Sequence, residues 1–156
     1  MSVKRYTRRV TLIEYKKAGL KYERFEEFEA GIELFGHEVK ALKGKQGSLD
    51  GSRVVVRGGE AYLVGATIPP YQAANTPKGY DPVRTRRLLM KKSEIVHVAD
   101  AESKKGLTVV PIEVYNKVGL IKVRVAIVRG KGKADKREDL KKKDAKREAE
   151  RILKSR

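Results

Sequence analysis

Residues 107–128 read LTVVPIEVYNKVGLIKVRVAIV. Two β-branched runs, Leu107 to Tyr115 and Leu120 to Val128, flank the short polar segment Asn116 to Gly119. Runs of this length and composition predict strands, and the spacing between them predicts a hairpin. In the second run Ile121, Val123, Val125 and Ile127 alternate with Lys122, Arg124 and Ala126. Successive strand residues point to opposite faces, so the first set is expected in a core and the second outward.

Working back from this hairpin, Ser93 to Ala101 predicts a short helix, with Ser93 as cap and Ile95, Val96 and Ala99 as its buried face. Ile68 to Asp81 holds Pro69, Pro70, Pro77 and Gly79 and reads as a loop. Ser52 to Arg57 and Ala61 to Ala66 flank Gly58-Gly59, which predicts a second hairpin, because a tight turn can need positive φ at both central positions. His37 to Lys43 predicts one or two helical turns, stopped by Gly44 and Gly47. Before it, Tyr22, Phe25 and Phe28 have helical spacing, but the alternation of Phe28, Ala30, Ile32 and Leu34 with Glu29, Gly31, Glu33 and Phe35 predicts a strand over about 28–35. Mostly antiparallel strands with short inserted helices predict a mainly β fold, a small closed barrel with no free sheet edges. Residues 1–20 read as a basic arm, 21–129 as the barrel core and 130–156 as a basic tail.

The 156 residues carry 37 Lys and Arg against 20 Asp and Glu, a net charge of +17. An excess of that size repels itself until an anion is bound, and nucleic acid is the commonest polyanionic partner. No run approaches the ~18 apolar residues of a membrane span, and MSVKRYTRR lacks the apolar region of a signal peptide. The absence of cysteine excludes disulfides, thiol catalysis and thiolate-bound zinc. We expect a cytoplasmic monomer without cofactor or metal.

The tail opens with RGKGK (129–133), a glycine-interrupted basic linker attractive to phosphate. Asp135 and Glu138 fit a capping box, and Glu138/Lys142 and Asp139/Lys143 are acid-before-base pairs at i,i+4. The segment therefore tends to helix, yet an isolated helix of about twenty residues is marginal in water. The expected behaviour is a tail that is disordered when free and helical when held by RNA.

Candidate catalytic groups are sparse. His37 and His97 are the only histidines and have no spacing that suggests a metal site. Glu26, Glu27 and Glu29 read as a charged strand rim rather than an acid/base pair. Gly44-Lys45-Gln46-Gly47 matches the GXXG clamp of KH domains, but a predicted strand follows where that fold needs a helix, so a turn is expected. An RNA-modifying enzyme would need a cofactor or metal site, and none is visible. The run Arg84, Arg86, Arg87, Lys91, Lys92 follows Tyr80, combining phosphate-binding charge with a stacking ring. With Lys122 and Arg124 it would make one basic face.

Four segments carry a specific likeness: FEAGIELFGHEVKALKGKQGSL (28–49), DPVRTRRLLMKKSEI (81–95), KGLTVVPIEVY (105–115) and VRGKGKADKREDLKKKDAKRE (128–148). In this order they resemble the SsrA-binding protein (small protein B) family. The resemblance implies an oligonucleotide-binding-like barrel, binding to the tRNA-like part of tmRNA, and delivery of tmRNA to stalled ribosomes. It also implies a tail that probes the empty decoding site and mRNA channel. The core RNA contacts expected are Glu29, Lys40, Arg84, Arg86, Arg87, Leu89, Lys122 and Arg124. The ribosome contacts expected in the tail are Arg129, Lys131, Lys133, Asp135, Lys136, Arg137, Lys141, Lys142 and Lys143. Ala134 stands where many members carry an aromatic or His and offers no ring to stack. The alternative within the RNA-binding class is a protein that binds ribosomal RNA permanently.

Overall fold

The computed structural model describes residues 9–72, 74, 76–131 and 133–154. Seven strands form one antiparallel sheet: β1 (Arg9–Glu14), β2 (Tyr22–Ile32), β3 (Arg53–Arg57), β4 (Glu60–Val64), β5 (Arg86–Leu89), β6 (Leu107–Lys117) and β7 (Leu120–Gly130). Four helices are set around it: α1 (Ala18–Lys21), α2 (Gly36–Lys43), α3 (Lys92–Ser103) and α4 (Lys133–Lys154). The strand order is β1-β6-β7-β2-β5-β4-β3. No ladder among the described residues joins β1 to β3, so the sheet is not closed by hydrogen bonds. The chain instead brings β3 and α3 against β6 across the interior.

The β6–β7 hairpin is tighter than its polar spacer suggests. The strands pair as far as Lys117 and Leu120, leaving a two-residue turn. Val118 (φ 52°) and Gly119 (φ 79°) both take positive φ, as a turn matched to the strand twist requires. A β-branched residue is costly there, and the glycine bears only half of the demand. Along β7 the expected inward set is covered: Val123, Val125 and Ile127 are buried and Ile121 is half-buried. Ala126, expected outward, is also buried, as are all residues of β6 from Val109 to Tyr115. The centre of this pair is covered on both faces. Pro111 is tolerated in it because the register shifts between Pro111 and Glu113, and a bulge asks for no regular ladder bond.

β2 begins at Tyr22 rather than near Phe28. Its register against β7 shifts between Arg24 and Glu26, leaving Phe25 as the extra, exposed residue. A bulge adds one residue to a period of two, which produces the spacing of three between the aromatics without any helix. Helix α3 buries Ile95, Val98 and Ala101, while Val96, expected in the core, is exposed. Its first turn is closed by the Glu94 carboxylate, which accepts the Lys91 N–H at 3.0 Å.

The largest departure is at the start of the chain. Residues 9–21 are not an arm. β1 pairs with β6 along its length, and Leu12, Ile13, Tyr15 and Ala18 are buried in the main core. Residues 1–8, the most basic part of the expected arm, lie outside the described residues.

One polar cluster is sealed in the core. Glu38, on α2, is fully buried and takes five donors: Arg86 Nε (2.8 Å), Arg84 Nη2 (2.5 Å) and Nε (3.1 Å), the Tyr80 hydroxyl (2.9 Å) and the Phe35 N–H (2.8 Å). Arg86 is equally buried, and its remaining N–H groups reach the carbonyls of Ala66, Arg84 and Pro82. The buried Glu38 and Arg86 charges match each other, Arg84 reaches in from a partly exposed position, and nearly every donor has an acceptor, the condition under which an ion pair can be buried.

A candidate nucleic-acid interface

β5 alternates. Arg86 and Leu88 point inward and are wholly buried, while Arg87 is half-buried and Leu89 is exposed on the other face. The Glu38–Arg86 pair thus anchors the strand from behind and presents Leu89 in front. Gly31 of β2 sits opposite Leu89, and a Cβ there would lie 3.2 Å from the leucine Cβ, so any larger residue would have to push Leu89 aside by a few tenths of an ångström. Lys122 of β7 is in register with Gly31 on one side and Tyr115 on the other. Glu29, Gly31, Arg87, Leu89, Lys91 and Lys122 thereby line one open cleft of ≈ 510 Å³.

Glu29 is held in place within it. Its carboxylate accepts the Tyr115 hydroxyl at 2.5 Å and Lys117 Nζ at 3.3 Å. The tyrosine hydrogen bond, aided by Lys117, lowers the Glu29 pKa against the opposing effect of burial. Burial and the same hydrogen bond push Tyr115 up to about 12, so its phenol stays a donor. The cleft thus presents a fixed carboxylate acceptor, an apolar leucine and the Lys122 ammonium, which makes no hydrogen bond or ion pair among the described residues. This combination can accept from a base amino group or 2′-hydroxyl, pack against a sugar and neutralise a phosphate.

The arginines of the expected basic face behave otherwise. Arg86 is fully buried on Glu38 and cannot reach RNA, because its place on β5 is inward. Arg84 stacks over the Phe35 ring at 4.0 Å and also bonds Glu38. Arg87 bridges Glu60 and Glu33, each at 3.0 Å. Arg124 pairs with buried Glu113 at 3.2 Å and approaches Glu27 at 3.8 Å. Arg9 also pairs with Glu113 and lies over the Tyr115 ring, 4.2 Å from its centroid. Much of the charge on this face is neutralised within the chain. Lys40 is exposed on α2 and does not line the cleft.

Tyr115 and Lys117 escaped the sequence reading. The signal was there, because Glu113, Tyr115 and Lys117 alternate along β6 as Lys122 and Arg124 do along β7. By itself the sequence places Tyr115 only at the end of a predicted strand.

The root of the tail is fastened. Arg129 pairs with Glu23 at 2.5 Å, the Lys131 N–H bonds the Lys21 carbonyl at 2.9 Å, and Lys131 Nζ reaches the Gly19 carbonyl at 2.9 Å. Helix α4 follows, with Lys141, Lys142 and Lys143 all exposed. The side chains of Lys133, Asp135, Lys136 and Arg137 lie outside the described residues. Among the described residues no cluster of His, Asp or Glu could hold a metal, and no helix is long and apolar enough to cross a membrane.

Residues 12–155 match the family model described as SmpB protein. The chain is 41% identical to the SsrA-binding protein of a Polaromonas species over 145 residues, covering 93% of this chain and 97% of that one. It is 45% identical to the SsrA-binding protein of a Sulfurihydrogenibium species over 139 residues, 89% and 91% of the two chains. A solved structure described as "tmRNA-SmpB: a journey to the center of the bacterial ribosome" contains a chain that aligns with a TM-score of 0.67 and 35% identity. The alignment spans 84% of this chain and 95% of that one.

Proposed function

The chain belongs to the SmpB family, and from that premise we propose that it binds the tRNA-like domain of tmRNA and delivers it to stalled ribosomes for trans-translation. The observation that supports this most is the convergence of Glu29, Leu89 and Lys122, from three strands, on one cleft. These are the positions at which the family resemblance expects core tmRNA contacts. The curled sheet acts as an oligonucleotide-binding-like barrel, completed by side-chain packing of β3 on β6.

The protein supplies binding and no chemistry. Glu29 accepts from the RNA, Leu89 packs against it, and Lys122 takes a phosphate. Once on the ribosome, the tail with Lys141, Lys142 and Lys143 enters the decoding site and mRNA channel. An isolated helix of this length is marginal in water, so α4 gains its stability from contact with ribosomal RNA. Messenger in the channel would occupy the same path, so entry reports an empty channel. The protein works as a cytoplasmic monomer.

The test is binding to the tRNA-like portion of tmRNA, with elongator tRNA as competitor, across a salt series. Preference for the tmRNA portion that survives near-physiological salt is expected. Equal binding to both RNAs that collapses with salt would refute specific recognition. Replacing Lys122 by alanine is expected to weaken this binding by roughly ten-fold and to lower the salt slope by about one. An unchanged affinity and slope would remove Lys122 from the interface.

A further inference from the structure

The seam between β2 and β5 is short. The two strands pair at Gly31–Leu89 and Ile32–Leu88, after which the chain turns away into α3. From Glu23 to Ala30, β2 pairs on one side alone, with β7. Among the described residues no other backbone hydrogen bond is made along this stretch. Alternate N–H and C=O groups of β2 therefore face outward, along the row that β5 leaves at Leu89.

Beside this edge lies a groove of ≈ 350 Å³ between β2 and α3. Ala101, Leu107 and Ile127 give it an apolar floor, and the exposed Phe25, the extra residue of the bulge, also lines it. Helix α3 approaches β2 at His97, whose ring is 6.4 Å from that of Phe28. Carboxylates outnumber cations on the rim, with Glu26 and Asp100 against Lys104. Asp100 and Lys104 are paired at 3.1 Å, and Glu26 makes no side-chain hydrogen bond or ion pair among the described residues. In a chain of net charge +17 this groove is a poor place for RNA, because a phosphate there meets an unneutralised carboxylate. A second copy suits it no better. The edge reads ERFEEFE (23–29), four glutamates against one arginine, and two such edges side by side repel. An extended strand of the opposite charge meets neither objection.

We infer that the groove between β2 and α3 takes an extended protein segment of basic and apolar residues, which adds to the β2 edge as a further strand. Its backbone bonds the outward groups of β2, its apolar side chains enter toward Phe25, Leu107 and Ile127, and a basic one reaches Glu26. Glu26 shares a face of β2 with Phe28, whereas Glu29 and the RNA cleft are on the other. The segment and the RNA therefore do not compete for one surface. The inference goes beyond the proposed function and stands on the edge and its charge alone.

The test uses the full chain without RNA and a short labelled peptide of lysine and valine. The chain as a whole repels a cationic peptide, so saturable binding reads a local site. Amide hydrogen exchange followed by NMR should slow at the outward-facing residues between Glu23 and Ala30. The same peptide N-methylated at every residue keeps its charge and loses its backbone donors, and should bind about ten-fold or more weakly. Glu26→Lys should weaken the unmodified peptide about five-fold or more, with no loss of affinity for the tRNA-like RNA. Its side chain is exposed and has no partner to lose, so the variant keeps its fold. No saturable binding, equal binding of the two peptides, or protection away from β2 would overturn the inference. Protection of these amides by the tRNA-like RNA would assign the edge to RNA instead. Protection that rises with protein concentration in the absence of peptide would assign it to a second copy, and either result sinks the proposal.

Discussion

Ending the chain after Lys131 is expected to abolish trans-translation tagging while leaving affinity for the tRNA-like domain of tmRNA nearly unchanged. The cut site follows from the packing at the root of the tail. A cut after Val128, where the sequence places the end of the last strand, would remove Arg129 and Gly130 from β7, where they pair with Glu23 and Tyr22. It would also remove the Lys131 N–H bond to Lys21. A loss of binding could then come from a frayed sheet. A cut after Lys131 leaves these contacts in place and removes only α4, whose residues from Leu140 to Lys154 are all exposed. Loss of a segment whose described side chains are all exposed should change stability by no more than about 0.5 kcal/mol. Binding of the tRNA-like RNA and tagging on stalled ribosomes are then measured on the same preparation. A fall in affinity of more than about ten-fold, or 1.4 kcal/mol, contradicts the division of labour between sheet and tail. Retained tagging contradicts the role of the tail.

Most elements from β2 to α4 are legible because each has its own period or punctuation, whereas β5 (Arg86–Leu89) reads only as a basic run. The β6–β7 hairpin shows β-branched runs, β3–β4 shows Gly58-Gly59, and α4 shows a capping box. What stayed hidden depends on contacts distant in sequence. β1 has only Val10 to Ile13 as an apolar signal, and its place at the edge of β6 makes it a strand. Period two fails where a bulge intervenes, so Phe25 and the start of β2 were misplaced. The candidate site was half legible. Lys122 was visible from alternation, and Glu29 and Leu89 through the family resemblance. The arginines read alike as a basic run, because a string of residues does not say which of Arg84, Arg86 and Arg87 meets Glu38, Glu33 or Glu60. Four residues of strand alternation divide Arg86 from Arg87, and nothing local marks Glu38 as the buried partner.

Glu38→Ala is expected to destabilise the fold by about 3–5 kcal/mol, because it leaves buried Arg86 without its counter-charge. For a chain of this size that corresponds to a fall in Tm of about 6–20 °C. Burial by itself would raise the Glu38 pKa, but hydrogen bonds from Arg84, the Phe35 N–H, Arg86 and Tyr80 outweigh it and bring the value down to about 2 from 4.5. A carboxyl depressed in the folded state stabilises it above its unfolded pKa, and the contribution fades as pH falls from 4.5 toward 2. A depression of this size corresponds to about 3 kcal/mol, in line with the cost of removing the side chain. Denaturant titrations of the wild type between pH 7 and pH 2 should show this loss, and Glu38→Gln should flatten much of it. The double variant Glu38→Leu/Arg86→Met should cost less than the two single changes together, since neither charge is then stranded. Additive losses would mean that the two side chains act separately. Because Arg86 anchors β5 from behind, the single variant should also weaken tmRNA binding at temperatures where it remains folded. Normal binding there would show that the cleft holds Leu89 in place without the buried pair.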